Sequence, residues 1–331
     1  MLEFIIRRLI LFIPLLFVVS VVSFVIIQLP PGDFLTSYIQ QLRATGTDVS
    51  EETIQSLIKI YGLDQPAYIQ YFTWIKNIIL RGDFGRSFQW NKPVKEVIGE
   101  RIALTVFISL LTMCFTWIVA IPIGIYSATH QYTFFDYFFT FVGFVGISMP
   151  GFLLALIIIW IAHLYGLNVT GLFSEAFIEA PWSLAKVIDM LKHIWVAIIV
   201  IGLSGTAGLI RIMRATLLDE LRKQYVITAR AKGLPERKLL FKYPVRLAIN
   251  PLISTIGWML PSVISGETLV SIVLNLQTTG PVLLRATMQQ DMYLAGSFVL
   301  ILSALTLTGT LISDILLAWV DPRIRYGKVG E

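Results

Sequence analysis

Long apolar runs alternate with polar stretches along the 331 residues. Residues 4–29 begin with Arg7 and Arg8 and then stay apolar to Gln28, close to the roughly 20 residues a helix needs to cross a bilayer core of about 30 Å. Pro30-Pro31-Gly32-Asp33 ends the run. A secretory signal would have a shorter apolar region and a small-residue cleavage site, and neither is found here. The same pattern predicts five more spans, at about 103–128, 137–163, 195–213, 251–275 and 293–319. Pro122 lies inside the second and Pro261 inside the fifth. Ser148-Met149-Pro150-Gly151 interrupts the third, as either a bend lining a pathway or a packing kink; such a break is tolerated where protein or a cavity satisfies the freed backbone groups. Gly202, Ser204, Gly205 and Gly208 offer the fourth a small-residue face for close helix approach.

The segment between the first two spans, 30–101, is polar but carries helical signals. Ser50 suits an N-cap, Glu51 and Glu52 suit the positive first turn, and Ile54, Leu57, Ile58 and Tyr61 share a face closed by Gly62. A second helix is predicted from Pro66 to a stop at Gly82, with Tyr68, Tyr71, Phe72, Ile75, Ile78 and Ile79 on one broad face, for the membrane surface or for packing on the span ends. Pro93 should start a short helix, Val94 to Glu100. Residues 129–136 read as a turn, 164–194 and 276–292 as outer loops, Asn168-Val169-Thr170 as a turn, and 321–331 as a tail.

Composition sharpens this picture. Hydrophobic residues make up 56% and charged residues 14%, where a soluble domain has about a quarter charged. The net charge of +5 is no nucleic-acid footprint, because the basic residues lie in loops beside apolar runs. Residues 211–246 hold ten basic side chains and three acidic ones. With Arg7, Arg8 and the tail's Arg323, Arg325 and Lys328 they fall on one side of a six-span chain, and the positive-inside rule makes that side cytoplasmic. Both termini are therefore expected in the cytoplasm and 30–101 outside. The domain organisation expected is 1–29 for the N-terminus and first span, 30–101 for the outer helical segment, 102–320 for the membrane core with a cytoplasmic loop at 214–250, and 321–331 for the tail.

Candidate chemistry is sparse. Cys114 is the single cysteine, so no disulfide within the chain and no Cys/His metal pattern is expected. His130, His163 and His193 stand apart and flank apolar runs. Glu267, Asp314 and Asp136 sit near span ends, as boundary or capping residues rather than proton relays. No G-x-x-x-x-G-K-[ST] phosphate loop occurs. No catalytic residues, metal ligands or cofactor are expected on the chain, and energy for any transport has to come from elsewhere.

The stretch 214–250 is the longest charged helix-forming piece between apolar runs. Leu218 to Lys232 is predicted helical, with Leu221, Tyr225, Thr228 and Ala229 on one face. Gly233 suits the left-handed position after it, and Lys232 complements the dipole. Pro235 suits the first position of a second helix, with Glu236, Arg237, Lys238, Lys242 and Arg246 on its wet side and Leu239, Leu240, Tyr243 and Leu247 on the other; Pro244 should kink it. Ala229 and Ala231 at the elbow would let a partner approach closely. A solvated basic loop on lipid headgroups is the other reading of the same composition.

Thr228-Ala229-Arg230-Ala231-Lys232-Gly233-Leu234, followed by Arg246 and Pro251, resembles the coupling loop of ABC-transporter permeases. It is most similar to the first-permease branch of the dipeptide/oligopeptide/nickel importer family. Arg7-Arg8 with Pro14, Pro31-Gly32-Asp33, Gly62-Leu63-Asp64-Gln65-Pro66, Arg81-Gly82-Asp83-Phe84-Gly85-Arg86-Ser87-Phe88, Ser148-Met149-Pro150, Glu267-Thr268 and Asp321-Pro322-Arg323-Ile324-Arg325 extend the likeness along the chain. The chain departs from the family pattern at Ile227 and Thr228, at Pro244, and across Ile272 to Gly280. The resemblance implies an all-α integral membrane protein with six transmembrane helices of the type I ABC importer permease kind and a helical outer segment after the first. It implies a transport subunit, not an enzyme, in the inner membrane. Its partners would be a second permease, two ATP-binding subunits that carry the ATP and magnesium, an extracytoplasmic solute-binding protein, and lipid. Coupling to the ATPase would fall to Tyr225, Thr228, Ala229, Arg230, Ala231, Lys232, Gly233, Leu234, Glu236 and Arg237, and the pathway or its kinks to Ser148, Pro150, Gly151, Pro261 and Glu267. The cargo implied is a dipeptide or oligopeptide, with oligosaccharides or nickel complexes as alternatives. A self-contained ion-coupled carrier or channel is the rival of another class, weakened by the scarcity of midplane carboxylates; a membrane enzyme would need a convergent catalytic set.

Overall fold

A computed structural model describes residues 2–28, 55, 64–87, 89–178, 180–181, 183–256, 268–289 and 291–320. The predicted helix after Ser50 lies outside them, apart from residue 55, which is helical. Pro261, Glu267 and the tail also lie outside. The described helices are α1 (Leu2–Gln28), α2 (Ala67–Arg81), α3 (Val94–Thr129), α4 (Phe134–Ser148), α5 (Gly151–Leu164), α6 (Leu184–Leu221), α7 (Gln224–Ala231), α8 (Glu236–Lys242), α9 (Pro244–Ala248), α10 (residues 250–256), α11 (Thr268–Val273), α12 (Thr279–Met288) and α13 (Met292–Val320). A two-residue hairpin, β1 (Arg86–Ser87) with β2 (Lys92–Pro93), pairs antiparallel with Arg86 opposite Pro93.

Segments of α1, α3, α6 and α13 are each long and apolar enough to cross a membrane, and α4 with α5 form a fifth candidate bent by 105° at the Ser148–Gly151 break. The third span is thus two helices rather than one kinked rod. Met149 is extended (φ −92°, ψ 123°), and Pro150 caps α5. The fifth predicted span is represented by α10 and α11, with 257–267 between them outside the described residues. Large apolar side chains such as Ile13 (70% exposed), Ile118 (72%) and Phe134 (77%) face outward, as a hydrocarbon solvent requires.

Three sequence expectations are corrected. The fourth span is the middle of a 38-residue helix, α6, so that 184–194 is helix rather than outer loop. Ser183 caps it, its Oγ accepting from the Lys186 amide at 3.3 Å. The loop expected at 276–292 holds α12. The short helix from Val94 and the second span are one helix, α3, running through Pro122.

The described residues divide into two compact units, Met1–Leu9, Thr105–Gln277 and Leu305–Glu331 in the first, Ile10–Leu104 and Thr278–Ala304 in the second. In the second unit the aromatic face of α2 packs rather than lying free. Tyr71 and Trp74 are 7% and 6% exposed, Tyr71 shares a 2.7 Å hydrogen bond with Ser20 Oγ, and Phe24 meets the rings of both. Tyr68, Phe72 and Ile79, expected on the same face, stay exposed. The Arg81–Phe88 motif also has a physical role there. Gly85 (φ +92°) passes so close to Tyr293 that a Cβ would lie 2.8 Å from its ring. Ser87 donates to the buried Asp291 carboxylate at 2.5 Å, and the amides of Gln89 and Leu294 donate to the same carboxylate.

The first unit is built around α6. Gly202 lies against α3, where a Cβ would sit 2.9 Å from the Phe115 ring. Gly124 of α3 and Gly146 of α4 let Met213 and Leu203 approach in return. Gly208 has nothing within 4 Å and Ser204 is exposed, so only part of the predicted small-residue face is used. Arg8 pairs with Asp314 at 2.9 Å.

Candidate functional site

α6 stops at Leu221, and the chain turns at Arg222 and Lys223 before α7 begins. The helix expected from Leu218 to Lys232 is therefore broken near its first third. Tyr225 spans the break, its hydroxyl donating to Glu220. Burial, and then the carboxylate of Glu220, push the Tyr225 phenol up from its ordinary range, so it stays a neutral donor at physiological pH.

α7 ends in a Schellman turn. Gly233 has φ +76°; its amide donates to Arg230 O at 2.9 Å, and the Leu234 amide reaches back to Ala229 O at 3.4 Å. These are the two bonds that satisfy orphan carbonyls at a helix end, with glycine at the left-handed position. Pro235 sits at the cap position before α8, one residue earlier than expected. Across the turn Arg230 Nε donates to Glu236 Oε1 at 2.5 Å, with both side chains exposed. That hydrogen bond and the guanidinium charge hold the Glu236 carboxyl below its ordinary range.

The bracket has its own core: Val226, Ala229 and Leu239 are buried, with Tyr225, Leu234 and Tyr243 packed against them. Ala229 is 8% exposed and packs into this core. Thr228, expected beside it, is exposed and donates its hydroxyl to Gln224 O at 2.8 Å. α8 breaks at Tyr243 (φ −119°, ψ −79°), and Pro244 begins α9, the kink its ring demands. α9 and α10 then return to α6, burying Val245, Ala248 and Leu252 against Leu209, Met213 and Leu217. Thr216 Oγ1 donates to Ala248 O at 3.1 Å.

The outward surface combines Ala231, Lys232, Gly233, Arg237 and Lys238 with the apolar Ile227 (47% exposed), Phe241 (55%) and Leu247 (40%). Arg222, Lys223, Arg230, Lys242 and Arg246 are exposed around it. Ile227 and Phe241 carry no outward signal in the sequence, because their exposure follows from how α7 and α8 pack on each other around Val226, Ala229 and Leu239.

Of the pathway candidates, Ser148 is exposed at the end of α4 and Pro150 opens α5. A Cβ on Gly151 would lie 3.3 Å from Val270 and 3.7 Å from Val200, so this glycine seats α5 on α6 and α11. The bent arm is packed, and the sharp turn is set by Met149 and Pro150. A residue pair that no spacing signalled clamps α4 to α6: Arg214 donates to Asp136 Oδ1 at 3.2 Å and Oδ2 at 3.1 Å, and Asp136 is only 3% exposed.

Residues 120–326 match the family described as binding-protein-dependent transport system inner membrane component. Residues 1–110 match the N-terminal family of such membrane components. The chain is similar to the oligopeptide transport system permease protein AppB of Bacillus subtilis, 34% identical over 327 residues covering 98% of this chain and 100% of the relative. It is 30% identical to the dipeptide transport system permease protein DppB of Alkalihalophilus pseudofirmus over 342 residues, covering 98% and 100%. It is 28% identical to the glutathione transport system permease protein GsiC of Escherichia coli over 326 residues, again 98% and 100%.

Proposed function

The chain belongs to the family of binding-protein-dependent transport system inner membrane components, and from that premise we propose that it forms half of the translocation pathway of an ATP-driven peptide importer. A solute-binding protein delivers a dipeptide or oligopeptide to the outer face, and a second permease completes the path. Two ATP-binding subunits, carrying the ATP and magnesium, dock on the 222–250 bracket. The peptide assignment follows the relatives, which are named for oligopeptide, dipeptide and glutathione transport.

The observation that carries the docking claim is the bracket itself. It is a helix–turn–helix with a private core, anchored through α9 on a long membrane helix, and it presents small, basic and apolar groups outward. A loop that only touched lipid headgroups would need charge but no core. The ten basic residues against three acidic ones between 211 and 246, on the end of α6 and the bracket together, support a cytoplasmic placement, where ATP is available, and with it cytoplasmic termini. A push on α7 or α8 is transmitted through α9 to α6 as a rigid contact, because packed interfaces shift as units.

The test separates docking from folding. Ala231→Trp places bulk on an exposed site with no role in the bracket core, whereas Gly233→Val strains the turn. In the reconstituted complex, Ala231→Trp should abolish binding-protein-stimulated ATP hydrolysis and peptide uptake while the chain still inserts with unchanged thermal stability. Uptake and stimulated hydrolysis surviving in both variants would remove the docking claim. Mass spectrometry of cargo co-purified with the complex decides between peptide and oligosaccharide.

A further inference from the structure

A groove of about 210 Å³ opens between α4 and α6. The two helices run antiparallel: Asp136 meets Arg214, a Cβ on Gly143 would lie 3.4 Å from Ala207 Cβ, and one on Gly146 would lie 2.8 Å from Leu203. The groove therefore has two unlike ends. Phe139, Phe144, Ile147 and Ile210 make its walls mainly apolar, with Thr140 among them, whereas Arg211 and Arg214 stand at the end nearer the bracket. Gly143 keeps the floor open, because any larger side chain would project from α4 toward Ala207.

The two arginines differ. Arg214 is committed to both oxygens of Asp136. Arg211 is exposed and has no ion pair or hydrogen bond among the described residues. It lies eleven residues before Arg222, roughly 16 Å of helix from the start of the bracket, and its long apolar stem can carry the guanidinium along the groove wall toward a polar headgroup.

We propose that this groove binds an anionic phospholipid of the inner leaflet, one acyl chain lying along Phe139, Phe144 and Ile210 and the phosphate on Arg211. A mainly apolar slot with an arginine at the end nearer the bracket has the polarity of such a lipid. A zwitterionic headgroup would bring its own cation against Arg211, and a free phosphate ion would leave the apolar walls unused. An occupied groove would brace α4 against α6 beside the Asp136–Arg214 clamp. The inference rests on the membrane orientation proposed above; ATP-driven uptake by the same complex after reconstitution into liposomes reports on that reading separately.

Native mass spectrometry of the detergent-purified full transporter tests it, with dioleoylphosphatidylglycerol, dioleoylphosphatidylcholine or sodium phosphate added in turn. Wild-type complex should retain phosphatidylglycerol saturably and show no specific retention of the other two. Arg211→Gln should weaken retention about fivefold, the weight of one surface arginine against an anionic headgroup, and Gly143→Leu should abolish it. Equal retention of phosphatidylcholine, preferential retention of inorganic phosphate, or unchanged phosphatidylglycerol retention in Arg211→Gln, would overturn the proposal. A benzoylphenylalanine at position 144 should cross-link to lipid; a cross-link to the second permease would show that protein fills the groove.

Discussion

The C-terminal part of α6 and the bracket that follows it are adjacent in the chain but built to different rules. Along α6, residues 200–217 pack against α3, α4 and α9 with glycines at the closest approaches, and the charged contact, Asp136–Arg214, has its acid side chain 4% exposed. In the bracket three buried residues hold the two short helices together, and the charged contact, Arg230–Glu236, is 49% and 66% exposed. One region is a frame of long packed helices, and the other is a small unit with a buried core of its own.

The comparison is broken most forcefully at Arg214. Arg214→Ala leaves the Asp136 carboxylate buried with its main cationic partner gone, a loss of about 3 kcal/mol or more. It should lower the thermal midpoint of the whole complex. Asp136→Ala should cost less, because Arg214 is part-exposed and can turn to water. Equal losses from the two variants would mean that the pair is not the clamp described here.

Leu239→Ala comes next. Removing a fully buried leucine costs about 2–5 kcal/mol, and here the loss should be local. Hydrogen exchange should rise across 224–242 while α6 amides stay protected. A global drop in stability instead would join the two regions into one cooperative unit.

Gly233→Val should have a smaller effect, about 1–2 kcal/mol from the left-handed backbone, since a Cβ there meets nothing within 4 Å. Gly233→Asn should recover much of it, because asparagine tolerates that conformation. Proteolysis at the elbow reads both.

Glu236→Gln should have the smallest effect, with no shift in midpoint, because exposed pairs contribute little. Its pH signature is directional. The Glu236 carboxyl is held below its ordinary range by Arg230, so the pair's contribution is present above the ordinary glutamate range and is lost as pH falls through the lowered one. Protection of the Gly233 and Leu234 amides should fall on acidification in wild type and stay flat in Glu236→Gln.

How much of the bracket is legible in the sequence depends on the range of the interaction. The turn at Gly233 and the kink at Pro244 were readable, because each follows from one residue's own backbone constraint. The break at Arg222–Lys223 was not. Leu218 to Lys232 is a continuous helix-forming sequence, and Tyr225 reaching Glu220 across the turn decides where it bends. A continuous helix would put Thr228 and Ala229 on one face; with α7 beginning at Gln224, Ala229 is buried and Thr228 exposed.

What the sequence determined by itself is the membrane solution and its punctuation. Apolar runs of span length, a basic stretch between them, and glycine or proline at the turns are properties of the residues one at a time or of near neighbours. The tertiary structure decided which surfaces meet. Asp136 and Arg214 are 78 residues apart, and nothing in either one's neighbourhood names the other. Gly124, Gly146 and Gly202 became contact points where Gly208 did not, because helix faces are chosen by packing in three dimensions. The break at Met149–Pro150 is visible in the sequence and its backbone sets the turn, but that the outgoing arm meets α6 and α11 beside Gly151 is an outcome no single span could specify.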